Sequence, residues 1–344
     1  MGSTNHKALI YDPYWDSMGG GEKYMASIAK VLLESGWSVD ISWPHNISAI
    51  ILKCFGIDLA KCNFVGQFLT QSYDLVFWNS DGSLPVSLAK HTFINMQYPH
   101  HGVSGHNFKN FIKSRFYTFL ANSEFSKSVI DREYWIKSKV LYPPIRIQDF
   151  TPGPKFKQIL YVGRFSNLTQ SKGHAVLIES FKKISTQIPE WKLILVGNTN
   201  VGTTDENLDK LKKLASGLPV EFIINPDLNH LKMIYSRASI FWSASGMGED
   251  ELLKPEKVEH FGMTVVEAMS AGAVPVISNL GGHKEIISSA DEGYLWNTPT
   301  ELCKITLDLI SNPKKIDYMS KFSQNRSKIF SEDKFRETLS DLMI

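Results

Sequence analysis

Val258-Glu259-His260-Phe261-Gly262-Met263-Thr264-Val265-Val266-Glu267-Ala268-Met269-Ser270-Ala271-Gly272 places two carboxylates eight positions apart, with a glycine between them where a helix would begin. Gly262 lets another group approach the backbone closely. Free N–H groups at a helix start, reinforced by the helix dipole, hold phosphates. Glu259 and Glu267 carry acceptor oxygens suited to sugar hydroxyls. One short segment therefore has the chemistry to hold both a phosphate and a sugar. Taken alone, it reads equally well as an amphipathic helix with one capping carboxylate and one exposed one.

Upstream, one organisation occurs twice. Ala8-Leu9-Ile10-Tyr11 is a short apolar run that predicts a buried strand. Gly19-Gly20-Gly21 follows, then a helical stretch from Glu22 to Glu34 with Met25, Ile28, Ala29 and Leu32 on one face. Gly36 ends it, and Ser38-Val39-Asp40-Ile41 predicts the next strand. In the second half Gln158-Ile159-Leu160-Tyr161-Val162 runs into Gly163-Arg164. Lys172-Gly173 then leads into a helix with Leu177, Phe181 and Ile184 on one face, and Trp191 to Gly197 is the next strand. Strands alternating with helices imply parallel sheets. Two such units, each with a glycine at its first turn, imply an α/β chain of two Rossmann-like domains with the active site in the cleft between them.

Tyr142-Pro143-Pro144-Ile145 and Thr151-Pro152-Gly153-Pro154 bias the connection towards extended and turn conformations, which places the linker at 143–154. The expected domains are 1–147 and 148–330. The helical tail 331–344 closes the chain, with part of it expected back on the first domain.

A length of 344 residues fits two domains, and a chain of that size buries a core without staples. Cys54, Cys62 and Cys303 form neither a metal-ligand spacing nor an even disulfide set, as expected of reduced thiols in a cytoplasmic protein. A net charge of +2 does not call for nucleic acid. The first seven residues lack a signal-peptide core and the myristoylation pattern, and no stretch reaches the length of a membrane span. The expected location is the cytoplasm, either free or at a membrane's cytoplasmic face.

Arg164 follows a strand end and Lys172 precedes a helix, so two cations are available for a diphosphate. Arg offers planar, bidentate hydrogen bonds and Lys a compact charge. Two solvated loop charges are the plain alternative. Together with Glu-x7-Glu around Phe261-Gly262 and the following Ala-Gly-x-Val-Pro-Val, this pattern resembles the retaining GT-B glycosyltransferases of family four. The resemblance spans nearly the whole chain, and the Glu-x7-Glu segment is its most specific part. It implies that Gly163, Arg164 and Lys172 meet the donor diphosphate and that Glu267 holds the nucleotide ribose. Glu259 then meets the donor sugar or stabilises its positive character. Phe261, Gly262, Met263 and Thr264 line the sugar and phosphate, and Gly20 and Gly21 give the first domain close approach to the phosphates. It also implies a nucleotide-sugar co-substrate with no separate cofactor or divalent metal. Glu249-Asp250-Glu251 is acidic and reads as a solvated, mobile loop.

Within the family, Tyr11-Asp12-Pro13-Tyr14, Gly19 to Lys23, Val140 to Pro144 and Glu259 to Glu267 are similar to α-1,2-mannosyltransferases that use GDP-mannose and a lipid-diphosphate acceptor. GDP-mannose is therefore expected ahead of UDP-sugars, and a glycan or lipid-linked sugar as acceptor. UDP-sugar-dependent glucosyl or N-acetylglucosaminyl transfer is one alternative, and a non-catalytic nucleotide-sugar binding protein is another. The family has a histidine after a first-domain strand near the transferred sugar. Here Gln97 stands in that register, and His100 and His101 follow in the same loop. Between 105 and 146 cations interleave with Phe108, Phe111, Ile112, Phe116 and Tyr117, so the first domain reads either as peripheral to a membrane or as a solvated helix face over a core.

Overall fold

Short apolar runs punctuated by glycine turns become parallel strands, because both faces of such a sheet are covered by helices. The computed structural model describes residues 6–103, 105–166, 170–199 and 205–343. The chain divides into two compact units, Met1–Pro144 with Phe335–Ile344, and Ile145–Lys334.

In the first unit β1 (Lys7–Tyr11), β2 (Ser38–Ser42), β3 (Asn63–Val65), β4 (Leu75–Asn79), β5 (His91–Met96), β6 (Thr118–Ala121) and β7 (Lys139–Val140) form a sheet in the order β3-β2-β1-β4-β5-β6-β7. All its pairings are parallel. The helix Gly20–Glu34 lays Met25, Ile28, Ala29 and Leu32 into the core, as its periodicity predicts. Phe335 and Leu339, from the helix Glu332–Met343, complete the same core.

In the second unit β8 (Gln158–Val162), β9 (Lys192–Gly197), β10 (Val220–Ile224), β11 (Ile240–Ser243), β12 (Val274–Ser278) and β13 (Tyr294–Trp296) run in the order β10-β9-β8-β11-β12-β13, again all parallel. The helix His174–Ile184 buries Leu177, Phe181 and Ile184. Among the described residues no helix is long and apolar enough to cross a membrane.

Strand order reverses between β1 and β4, and again between β8 and β11. Such reversals open a crevice at the carboxyl ends of the strands. At the first reversal Asp12 follows β1 and is buried. It accepts from Tyr14 N at 2.9 Å and is hydrogen-bonded by Asn79, which in turn accepts from Asn95 Nδ2 at 3.1 Å. Burial, reinforced by the nearby Glu22 and Asp16, pushes the Asp12 carboxyl up to about 7 despite those hydrogen bonds.

A raised carboxyl pKa means the folded state holds a proton that the unfolded chain has released. Its contribution is therefore present below about pH 4 and is lost as pH rises towards 7. Asp12→Asn should remove that dependence. Between pH 4 and 8 the stability of the variant relative to the native chain should shift in its favour by about 1–4 kcal/mol, read by urea denaturation. Parallel pH profiles for the two proteins would refute the assignment.

Candidate active site

The second reversal gathers the residues that the sequence singles out in this unit. Gly163 and Arg164 follow β8, where Gly163 N donates to Val196 O at 2.9 Å and the Arg164 side chain is exposed. The helices that follow β8 and β11 are His174–Ile184, after Gly173, and Met263–Ser270, after Gly262. Gly262 has φ +111°, a conformation that an L side chain rarely adopts, and a Cβ there would meet His283 Cδ2 and Ile286 Cδ1 at 3.0 Å. Met263 and Thr264 open the helix half-buried, with their amides in its first turn.

Lys172 Nζ lies 2.9 Å from Glu259 Oε2 and 2.9 Å from Gln170 Oε1. Gln170 is itself buried and donates through Nε2 to Val258 O at 2.6 Å, with His260 Nε2 at 2.8 Å. The loop after β8 and the Glu259 segment are thereby stitched together. Burial alone would raise the Glu259 carboxyl, but the charge and hydrogen bond of Lys172 foremost outweigh it and hold it down at about 2. His283 is fully buried beneath Gly262 and hydrogen-bonded through Nδ1 to Ser278 at 3.1 Å; burial lowers its pKa to about 4, so it is neutral at neutral pH.

Glu267 is 8% exposed, and Tyr235 Oη donates to its Oε2 at 2.8 Å. Burial, and then the Glu267 charge, drive the Tyr235 phenol well above its ordinary pKa, so it remains a donor. Phe261 is 3% exposed and meets the Phe330 ring edge-on at 5.2 Å, so its side chain belongs to the core. Glu249-Asp250-Glu251 is not a free acidic loop. Glu251 accepts from Gly281 N at 2.8 Å and pairs with Lys284, Asp250 accepts from Leu252 N at 2.8 Å, and Glu249 pairs with Lys254 at 3.2 Å.

In the first unit Gly20 and Gly21 open the helix Gly20–Glu34, and Gln97 Nε2 donates to Gly21 O at 3.4 Å. The Glu22 carboxylate accepts from Gly19 N and from Ser17 Oγ, which fixes the turn before that helix. His100 turns elsewhere: its ring lies against Gly82, and burial lowers its pKa. His101 faces Glu133 at 3.8 Å. Of the three residues read as candidates in this loop, Gln97 is the one beside the glycine turn.

Gln170, Tyr235, His283 and the Gly281-Gly282 pair escaped the sequence reading. Gly281-Gly282 carried a signal, since adjacent glycines after a strand mark a close backbone approach. Cβ atoms at these positions would lie 2.2 Å from Glu259 O and 2.3 Å from His260 O. Among the described residues no group of three or more His, Cys, Asp or Glu side chains is arranged to hold a metal ion.

Tyr235→Phe leaves the buried Glu267 carboxylate short of a donor. Chemical denaturation should show a loss of about 1–3 kcal/mol. Unchanged stability would show that the hydroxyl does not support Glu267.

The model of the family Glycosyl transferases group 1 matches residues 146–326. The chain is 26% identical over 268 residues to the GDP-Man:Man(3)GlcNAc(2)-PP-Dol alpha-1,2-mannosyltransferase of Dictyostelium discoideum, covering 68% of this chain and 51% of that protein. It is 30% identical over 182 residues to an uncharacterised glycosyltransferase of Haemophilus influenzae, covering 52% of this chain and 45% of that one. It thus spans about half the length of these relatives. Among solved structures, a glycosyltransferase from Rickettsia africae superposes with a TM-score of 0.78 at 16% identity, over 98% of both chains. The two parallel Rossmann-like sheets are those of the GT-B fold, and the chain belongs to the family Glycosyl transferases group 1.

Proposed function

We propose that this chain transfers a hexose, mannose from GDP-mannose, to a hydroxyl of a glycan or lipid-linked acceptor, with retention at the anomeric carbon and without a metal ion. The observation that carries the reading is the Lys172–Glu259 pair, 2.9 Å apart, joining the loop after β8 to the segment that opens the helix Met263–Ser270. Cation, carboxylate and helix N-terminus are the chemistry that a nucleoside diphosphate-sugar needs. The relatives named for GDP-mannose support the choice of donor.

Arg164 and Lys172 are assigned to the diphosphate. An ammonium has three donors, and two of those of Lys172 are directed at Gln170 and Glu259, so the third is available to a phosphate oxygen. The amides of Gly262, Met263 and Thr264 add the helix dipole. Glu267, braced by Tyr235, takes the ribose. Glu259, ionised over the whole physiological range, faces the positive character that develops on the sugar.

The bond from the anomeric carbon to the diphosphate oxygen breaks, the acceptor oxygen bonds on the same face, and the departing diphosphate takes the acceptor's proton. No protein nucleophile is needed. The protein's part is to stabilise charge growing on the leaving group with groups already in position. The acceptor is assigned to the first unit, where Gln97 and the glycine turn stand together.

Arg164→Ala should lower turnover by about 10²–10³. A thermal-shift screen should rank GDP-mannose above UDP-glucose and UDP-N-acetylglucosamine, by a few degrees at saturation. A larger shift with a UDP-sugar would overturn the choice of donor. Near-native turnover in the Arg164 variant, with donor saturation unchanged, would overturn the diphosphate assignment.

A further inference from the structure

The run from His106 to Tyr117 contains Lys109, Lys113 and Arg115 and no acidic residue. Its helix, Phe108–Lys113, sets Phe108, Phe111 and Ile112 at the i, i+3, i+4 spacing that makes one stripe. Such a stripe ordinarily lies on a core. Here no residue of the helix is buried, and Phe108 is 76% exposed. Phe116, just beyond the helix, is 75% exposed.

The segment is nonetheless anchored. Asn107 caps the helix by accepting from Asn110 N at 2.9 Å. Lys113 Nζ donates to Leu84 O at 2.5 Å and Tyr117 Oη to Pro85 O at 3.1 Å, tying it to the loop after β4. That loop presents Val86, 74% exposed, next to the residues that hold it. The patch is therefore a built surface with apolar groups turned outwards.

Its charge selects the occupant. The Arg115 guanidinium sits 4.7 Å from the centre of the Phe111 ring, so cation and aromatic are presented together. Asp81 borders the recess beside Phe108, Lys109 and Lys113, with its carboxylate engaged by Ser83. The nearby Glu133 is occupied by the backbone amides of Gly102, Val103 and Gly105. The broader basic stretch does not take part as one surface, because Lys127 pairs with Asp131 and Arg146 with Asp149 in the other unit.

We propose that the Phe108–Phe116 surface docks the first unit on an anionic lipid bilayer. The rings enter the boundary between headgroups and acyl chains, and the exposed Lys109 and Arg115 meet lipid phosphates. The docking stands without the transfer reaction, although a lipid-linked acceptor would be presented at the same surface.

The test is co-sedimentation of the full chain with vesicles of phosphatidylcholine alone and of phosphatidylcholine mixed with phosphatidylglycerol. Binding is expected on the mixed vesicles, weakened by salt and nearly absent on the neutral ones. Phe108→Ser with Phe116→Ser, and separately Lys109→Glu with Arg115→Glu, all at exposed positions, should each lower the partition coefficient by about tenfold or more, with melting temperature retained. Lys192→Glu, an exposed position on the other unit, should leave partition within about twofold. Failure to bind the mixed vesicles, or equal binding to both kinds, would overturn the proposal. So would self-association, seen by sedimentation velocity, that the phenylalanine substitutions abolish while vesicle binding persists. Transfer activity is not read in any arm, so failure here leaves the catalytic reading untouched.

Discussion

A carboxylate drawn away from water must be met by partners, and Glu259 meets that demand by bringing distant stretches of chain together. Lys172 supplies the charge, Gln170 holds Lys172, and the carbonyl of Val258 beside Glu259 holds Gln170. From the other side, Gly282 N donates to Glu259 O at 2.7 Å. Remove the carboxylate, and Lys172 in the turn after β8 loses its charged partner, while the turn after β12 keeps its bond to the backbone carbonyl of Glu259. A buried ion pair is not in itself a source of stability, since desolvation offsets much of its attraction. Its value here is to fix the spacing between a cation and a helix start.

The two units meet the carboxylates that follow their strands differently. The second satisfies Glu259 with a full positive charge and so keeps it ionised. The first buries Asp12, meets it with one side-chain amide and a backbone N–H, leaves Glu22 close by, and so raises its pKa. One unit thus carries a carboxylate held ionised, and the other a carboxyl whose proton is retained up to about pH 7. Hydrogen bonds from neutral donors were not enough to offset burial; an ammonium was.

The strand–glycine–helix units were legible because they depend on local periodicity: Met25, Ile28, Ala29 and Leu32 recur at helical spacing, and all are buried. Glu259, Gly262 and Glu267 were legible because they lie within one short segment. Tyr235 was not, since it meets Glu267 across 32 positions of sequence from another helix. Gln170 looked like one polar loop residue among several, and only its reach to Val258 gives it meaning. Phe261 shows the reverse case, where proximity to the motif suggested a ligand contact and packing against Phe330 places its side chain in the core. Glu251 looked solvated because its partners, Gly281 and Lys284, are thirty and more positions away.

The helix Glu332–Met343 has a bearing on how the chain is made. Phe335 packs edge-on against Tyr24 at 5.5 Å, and Arg336 pairs with Glu34. The core of the first unit is therefore closed by residues that leave the ribosome only after the whole second unit has been synthesised. Until then Tyr24 and its neighbours lack part of their apolar cover. Sequence separations of this size slow closure, because loop entropy must be met before the contact contributes. The unit that is translated first is thus the one completed last, and during synthesis its exposed apolar surface is a natural target for chaperone binding.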